Sequence, residues 1–308
     1  MRTGAVEHVV SVGRWYIRYT TPGAPGVGAL SARWLNPWLR DHPRQVVTRS
    51  RVGVRFAVDT RDLIQRYVYM FGVWEPHMTC WLQRRLRPGD TFVDVGANVG
   101  YFALLAAGMV GDQGRVVAIE ASPAFNEVLL GQVQLNRAKA VRVVNAAISD
   151  RREELVFALA SDRNMGANSI VPYDGPVVST FAIEARPLPE VLLPSEITNA
   201  RVIKVDVEGA EGKVVRGMEP MLDRLRDDVE ITVEVTPDRM AKLGDSSDEL
   251  LAIMAKHGFH AYRLANDYAP ESYVARRRGP VGIPVRLRGS VEAEADLIFS
   301  RVDAETLP

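Results

Sequence analysis

The sequence predicts an α/β chain built on a doubly wound, mostly parallel sheet. From Thr91 onward, short apolar runs alternate with helix-patterned stretches, which is the rhythm of βαβ units. A glycine-rich bend, Asp94-Val95-Gly96-Ala97-Asn98-Val99-Gly100, falls at the first strand–helix junction of that series, where open α/β sheets hold ligands. Composition agrees: 47% of the 308 residues are apolar and 25% charged, ordinary globular usage in a chain long enough to bury a large core.

Residues 1–45 carry Pro22, Gly23, Pro25, Gly26 and Gly28 among Trp15, Trp34 and Trp38. A free linker does not carry three tryptophans, so part of this segment is expected to pack. Val52, Val54, Phe56 and Val58 alternate as a strand, and Thr60–Met70 follows as a helix closed by Gly72. After Pro88-Gly89-Asp90 come strand Thr91–Val95, helix Tyr101–Val110 and strand Arg115–Glu120. Ser122 then caps a helix with Pro123 at its first position, running to about Arg137, and Val141–Ala147 is strand-like. Leu155–Ala160 and Val177–Ala185 read as extended segments around the turn-rich stretch Asn164–Gly175, an insertion at about 150–187 forming a hairpin beyond the main sheet. The βα rhythm resumes with Arg201–Val207, a helix from about Ala210, and Glu230–Val235. Ser246 and Glu249 have capping-box spacing for a helix that Gly258 closes, and His260–Leu264 and Ala295–Ser300 supply the last strands. Residues 1–66 are thus expected to form an N-terminal extension and 67–308 the ligand-binding domain.

Basic and acidic residues balance at 38 each, which removes the long-range attraction of a general nucleic-acid or anionic-membrane binder. No apolar stretch approaches the ~18–20 residues of a membrane span, and the N-terminus lacks a signal-peptide core. The single cysteine, Cys80 between Thr79 and Trp81, reads as a packed thiol. A cytoplasmic protein without nucleic-acid or membrane partners is expected. The aromatic and arginine side chains of the first forty residues suit a lid or a homodimer contact.

The chemistry concentrates in three places. In the bend, Gly96, Asn98 and Gly100 depart from the Gly-x-Gly-x-x-Gly of pyrophosphate-binding loops, and Asp94 precedes the first glycine by two. A carboxylate there suits a cationic ligand, and S-adenosylmethionine, with its sulfonium and ammonium groups, matches that charge. Glu120 closes the second strand, where an acid accepts both ribose hydroxyls of a nucleotide. NAD enzymes use the same position, so an oxidoreductase stays an alternative. Asn145, ending the third strand, is an adenine-side candidate. In the third place, Lys204, Asp206 and Glu208 are spaced by two and share one strand face, opposite Ile203, Val205 and Val207. Acids in a buried central strand are costly, so they belong at its carboxyl end, in the cleft. The plain alternative is that Lys204 neutralises one acid and Glu211 starts the next helix. Asp206 is placed near the methyl donor or its acceptor, Glu208 opposite Asn98 or the substrate, and Glu234 at the same edge. No His or Asn spacing completes a cation site with Asp206 and Glu234, so no metal is assigned.

These residues resemble the FkbM-type S-adenosylmethionine-dependent methyltransferases. The similarity runs through Pro88-Gly89-Asp90, Asp94 to Phe102, Glu120-Ala121-Ser122-Pro123, Ile203 to Glu211 and Glu234, with Gly72-Val73-Trp74-Glu75-Pro76 as a lead-in. It covers roughly Tyr67 to Ser300. The resemblance implies a class I methyltransferase (Rossmann-like) fold: a seven-stranded, mostly parallel sheet with one reversed strand at its edge and helices on both faces. It implies S-adenosyl-L-methionine as cofactor, held by Asp94, Gly96, Ala97, Asn98, Gly100, Glu120, Ala121, Ser122 and Asn145. It also implies O-methylation of a small-molecule or saccharide hydroxyl, with Asp206, Glu208 and Glu234 as catalytic candidates. A fold retained for binding without turnover is the other alternative.

Overall fold

The computed structural model describes residues 2–19, 24–159, 168–169, 179–274 and 282–307. The extended segments, in chain order, are β1 (Gln45–Arg49), β2 (Arg55–Asp59), β3 (Thr91–Val95), β4 (Arg115–Glu120), β5 (Val141–Asn145), β6 (Ala147–Ile148) and β7 (Glu153–Leu159). They continue as β8 (Asn168–Ser169), β9 (Ser179–Arg186), β10 (Ala200–Val205), β11 (Glu230–Val235), β12 (His260–Leu264), β13 (Val285–Arg286) and β14 (Ala295–Ser300). Eight of them form the main sheet, in the order β13-β12-β14-β11-β10-β3-β4-β5. β11, β10, β3, β4 and β5 run parallel, and β14 is antiparallel to both its neighbours.

Two expectations are corrected here. The sheet has eight strands rather than seven, because two-residue β13 adds to β12. The reversed strand is not at the edge: β14 is inserted between β11 and β12. Its physical reason lies in Ala295–Ser300, where every side chain is buried, so the strand needs a partner on each side.

Strand order reverses between β3 and β10. From β3 the chain first builds outward through β4 and β5, then crosses to β10 and β11, leaving a crevice above the carboxyl ends of β3 and β10. Alternate residues of each strand feed two cores. Phe92, Val116, Val202 and Ile298 face one side, while Val93, Val117, Ile203 and Leu297 face the other.

The first side is covered by helices Leu63–Phe71, Pro76–Arg85 and Tyr101–Val110, and by the N-terminal segment, whose Val10, Ile17, Leu35 and Leu39 join the same core. Position 66 lies inside the helix Leu63–Phe71, which Asp62 caps and left-handed Gly72 ends. The strand expected from Val52 begins at Arg55, because Gly53 (φ +90°) turns the chain back on β1. β1 itself was not anticipated: its burial is not alternating, and Val46 and Val47 are exposed.

The outer edge of β2 is closed by side chains. Gln132 and Asn136, one turn apart on helix Pro123–Asn136, exchange hydrogen bonds with the backbone of Ala57 and Arg55 as a neighbouring strand would: the Ala57 and Arg55 N–H donate at 3.0 and 2.9 Å, and the side-chain amides return bonds at 2.6 and 2.7 Å. Asn136→Ala is expected to cost about 1 kcal/mol and to lower the melting temperature by a few degrees, with ligand affinity unchanged. Thermal melts with and without ligand check this.

The insertion forms its own sheet, β6-β9-β7-β8, with β7 and β9 antiparallel from Glu153↔Ala185 to Leu159↔Ser179. Most of the turn-rich stretch between them, like the Arg276–Arg278 triplet, lies outside the described residues. Among the described residues no helix is long and apolar enough to cross a membrane.

Candidate active site

The bend after β3 is held by backbone alone at its start. Gly96 and Ala97 N–H both donate to Ile119 O at 2.9 Å, tying the loop to β4. Gly96 has φ +84°, and a Cβ there would lie 1.7 Å from Asp206 O, so only glycine permits the ends of β3 and β10 to approach this closely. Gly100, also at φ +84°, makes room for Leu129.

Glu120 completes the loop. Its Oε2 accepts from Asn98 N–H and its Oε1 from Ser122 N–H, both at 2.8 Å. Each oxygen of this cavity-lining carboxylate keeps capacity for a further donor, which a ribose diol requires. Burial pushes the Glu120 carboxyl up to about 7 against the pull of those two amides.

A single buried ammonium organises the opposite wall. Lys204 Nζ lies 2.7 Å from Asp206 Oδ2 and 5.1 Å from the centroid of the Phe102 ring. Burial alone raises Asp206, but Lys204 and a hydrogen bond with Glu234 outweigh it and hold Asp206 below the ordinary carboxylate value. Burial and the Asp206 charge drive Glu234 well above that value. Tyr268 Oη donates toward Glu234 Oε1 at 2.9 Å and lies 3.2 Å from Glu75 Oε1, and its ring stacks on Trp74 at 5.4 Å.

These groups line one cavity of about 310 Å³ at the switch point. Six acids line it (Glu75, Glu120, Asp206, Glu208, Glu234, Glu294) against two bases, Lys204 and Arg239. The excess of acids over bases fits a cationic ligand, whose charge favours their ionised form. Backbone strain is focused on the same place: of four non-glycine residues with positive φ among the described residues, Glu75 (39°), Asn98 (51°) and Glu208 (58°) line it.

Of the sequence-derived candidates, Gly96, Ala97, Asn98, Glu120, Ala121, Asp206, Glu208 and Glu234 border the cavity, and four do not. Asp94 is buried beneath the bend, where both its oxygens lack a hydrogen-bond partner of full geometry and burial pushes it up to about 6 against Lys204. Gly100 works through packing, and Ser122 accepts from Phe125 N–H as a helix cap. Asn145 donates to Glu120 O and Ala121 O, strapping the end of β4 rather than facing the cavity. Glu208, expected opposite Asn98 or the substrate, forms an ion pair with Arg239 of helix Pro237–Lys242 from a left-handed backbone. Glu75, beyond its place in the lead-in motif, and Tyr268 and Asp296 were missed. Only Asp296, one acid in an apolar strand, left a signal in the sequence.

Sheet order and glycine bend together define the class I methyltransferase fold. The chain belongs to the FkbM methyltransferase family: the family model for the methyltransferase FkbM domain matches residues 94–261, more than half its length. It is a methyltransferase, and S-adenosyl-L-methionine is its cofactor, which sets aside the oxidoreductase and the non-catalytic alternatives. A protein-L-isoaspartate O-methyltransferase of Triticum aestivum is 31% identical over 176 residues, 56% of this chain and 71% of that protein. One from Ignicoccus hospitalis is 30% identical over 136 residues, 43% of this chain and 56% of that protein. Among solved structures, a methyltransferase FkbM from Methylobacillus flagellatus aligns with TM-score 0.40 at 15% identity, covering 77% of this chain and 52% of that one.

Buried acids also set the pH response. Burial raises Asp94 to about 6 and Glu120, Glu211 and Asp296 to about 7. Unfolded, such groups titrate near about 4, so between about pH 4 and 7 the folded chain binds more protons than the unfolded one. Their contribution is complete below the unfolded value and is lost as pH rises through the folded one. Asp206, depressed, adds nothing to the slope above about pH 5. The ligand-free melting temperature is therefore expected to be higher at about pH 5.5 than at about pH 7.5, which differential scanning fluorimetry checks.

Proposed function

We propose that the chain transfers the methyl group of S-adenosylmethionine to a hydroxyl oxygen of a small molecule or saccharide. The observation that carries this reading is the acidic make-up of the cavity wall, six acids against two bases. A carboxylate acceptor would meet repulsion there, whereas a neutral hydroxyl would not. Chain neutrality, 38 basic against 38 acidic residues, likewise speaks against a nucleic-acid acceptor, and a lone cysteine suits a cytoplasmic setting.

Asp94, beneath the bend, would supply negative potential, Gly96 to Asn98 would let the backbone approach the cofactor, and Glu120 would accept its ribose hydroxyls. When bound, the cofactor supplies an activated methyl group on a sulfonium sulfur, which leaves as a neutral thioether. The protein's task is alignment, worth on the order of 7–11 kcal/mol, while a general base adds about 10²–10⁴-fold. Asp206 and Glu234, which line the cavity, would receive a proton at the acceptor side, and the Glu208–Arg239 pair would shape its wall.

The test is incubation with methyl-labelled cofactor and metabolite extracts, followed by mass spectrometry and alkali treatment. Label in a small molecule that survives alkali, as a methyl ether does, supports the reading. Alkali-labile label, as in a methyl ester, or label confined to protein or nucleic acid, overturns it.

A further inference from the structure

Four carboxyl groups, Glu75, Asp206, Glu234 and Asp296, interact at the carboxyl ends of β10 and β11, where Glu75, Asp206 and Asp296 also feel the ammonium of Lys204. They come from separate elements: Glu75 from the turn before helix Pro76–Arg85, Asp206 from the end of β10, Glu234 from β11, and Asp296 from its register partner β14. Asp94 lies beneath on β3, Tyr268 bridges Glu234 and Glu75 from above, and Arg239, the other cation of the wall, is paired with Glu208. One ammonium does not neutralise four neighbouring carboxylates, of which Glu75 and Asp296 are buried and Asp206 and Glu234 partly so, and the cluster therefore retains protons. Among the described residues Asp296 Oδ2, nine-tenths buried or more, has no hydrogen-bond partner, and the Asp206 and Glu234 carboxyls lie within hydrogen-bonding reach of each other.

We propose that Glu234 and Asp206 share one proton in the ligand-free chain, that binding of the sulfonium cofactor expels it, and that the carboxylate pair so formed receives the proton of the acceptor hydroxyl. The arrangement makes the base available only when the methyl donor is present. The balance closes: the acceptor O–H breaks, its proton passes to a carboxylate of the pair, and its oxygen takes the methyl carbon as the carbon–sulfur bond yields its electrons to sulfur. Positive charge on sulfur is thereby exchanged for a proton on the pair, and the neutral thioether product no longer opposes that proton. The last step rests on the hydroxyl-acceptor reading above, whereas proton expulsion does not.

S-adenosylmethionine and S-adenosylhomocysteine carry the same amino, carboxylate and ribose groups and differ in the sulfonium charge, so their comparison isolates that charge. Isothermal titration of the wild-type chain with each, in two buffers of different ionisation heat near pH 6.5, counts the protons released. S-adenosylmethionine is expected to release close to one proton more than S-adenosylhomocysteine. The ratio of their affinities is expected to climb by up to about tenfold per pH unit while the pair titrates. Glu234→Gln is expected to bring the difference to zero while S-adenosylhomocysteine still binds. Equal proton counts in the wild type overturn the proposal, as does a Glu234→Gln chain with the wild-type difference. Should that variant fail to fold, the wild-type comparison decides alone. A methyl ester product in the labelling experiment would overturn the hydroxyl reading and leave the proton count untouched, so the two failures are distinguishable.

Discussion

Glu120→Ala is expected to weaken S-adenosylhomocysteine binding by about a hundredfold or more. The carboxylate accepts from two backbone amides, Asn98 and Ser122. Hydrogen bonds to a charged group are worth about 1.5–3 kcal/mol each, and every 1.4 kcal/mol is about tenfold in affinity. The variant loses the proposed diol acceptor and also releases Asn98, whose left-handed backbone is held by that bond. Glu120→Gln is the informative companion: its one oxygen serves one amide, while its NH₂ faces the other donor, so an intermediate loss is expected. Calorimetric affinities within about threefold of wild type for Glu120→Ala would remove Glu120 from the site.

The parts of this molecule legible in its sequence are those where one local rule dominates. β3, β4, β11, β12 and β14, and helix Tyr101–Val110, begin and end where apolar runs and glycines place them. The bend from Asp94 to Gly100 was readable because glycine spacing is a backbone requirement, and Glu120 because a strand end fixes its place. The misses are non-local. Whether β14 lies at the edge or between β11 and β12 depends on burial of both its edges, which no window along the chain records. Tyr268 reaches the cavity from a loop, more than sixty residues beyond Asp206, and meets Glu75 from the other end of the chain. Asn145 was placed correctly at the end of β5, but its amide has two carbonyls within reach and uses them.

Acidity and strain in the cavity have a common cause. A site for a cation must hold carboxylates out of water, and it does so by lodging them on short turns whose backbone is already committed. Glu75 and Glu208 each sit at positive φ beside the element that follows, helix Pro76–Arg85 in one case and the approach to Glu211–Leu222 in the other. Glu211 fastens the second turn from behind: its carboxyl accepts from Gly209 N–H at 2.8 Å and from Thr236 Oγ1 at 3.3 Å, tying the Asp206 loop to the end of β11. The two carboxyls of the shared pair are thus carried on strand ends that a third buried acid joins.

Gly96→Ala is expected to be strongly disruptive for a single added methyl. Asp206 O stands 1.7 Å from where the new carbon would go, and the following amide frame is fixed by Asp206 N–H donating to Val95 O at 3.0 Å. Neither strand end is able to retreat: β3 is paired on both sides, with β10 and β4, and β10 with β11 and β3. Added to the left-handed backbone cost of about 1–2 kcal/mol, the collision brings the loss to roughly 3–5 kcal/mol and the fall in melting temperature to on the order of 10 °C. Because the displaced carbonyl belongs to Asp206, cofactor binding is expected to fall with it. Gly131→Ala supplies the internal contrast. That glycine lies within helix Pro123–Asn136 with nothing within 4 Å of the added carbon, so alanine there is expected to stabilise by about 0.5–1 kcal/mol. Melting temperatures that move in the same direction for both variants would mean that the approach of Gly96 to Asp206 does not govern the site.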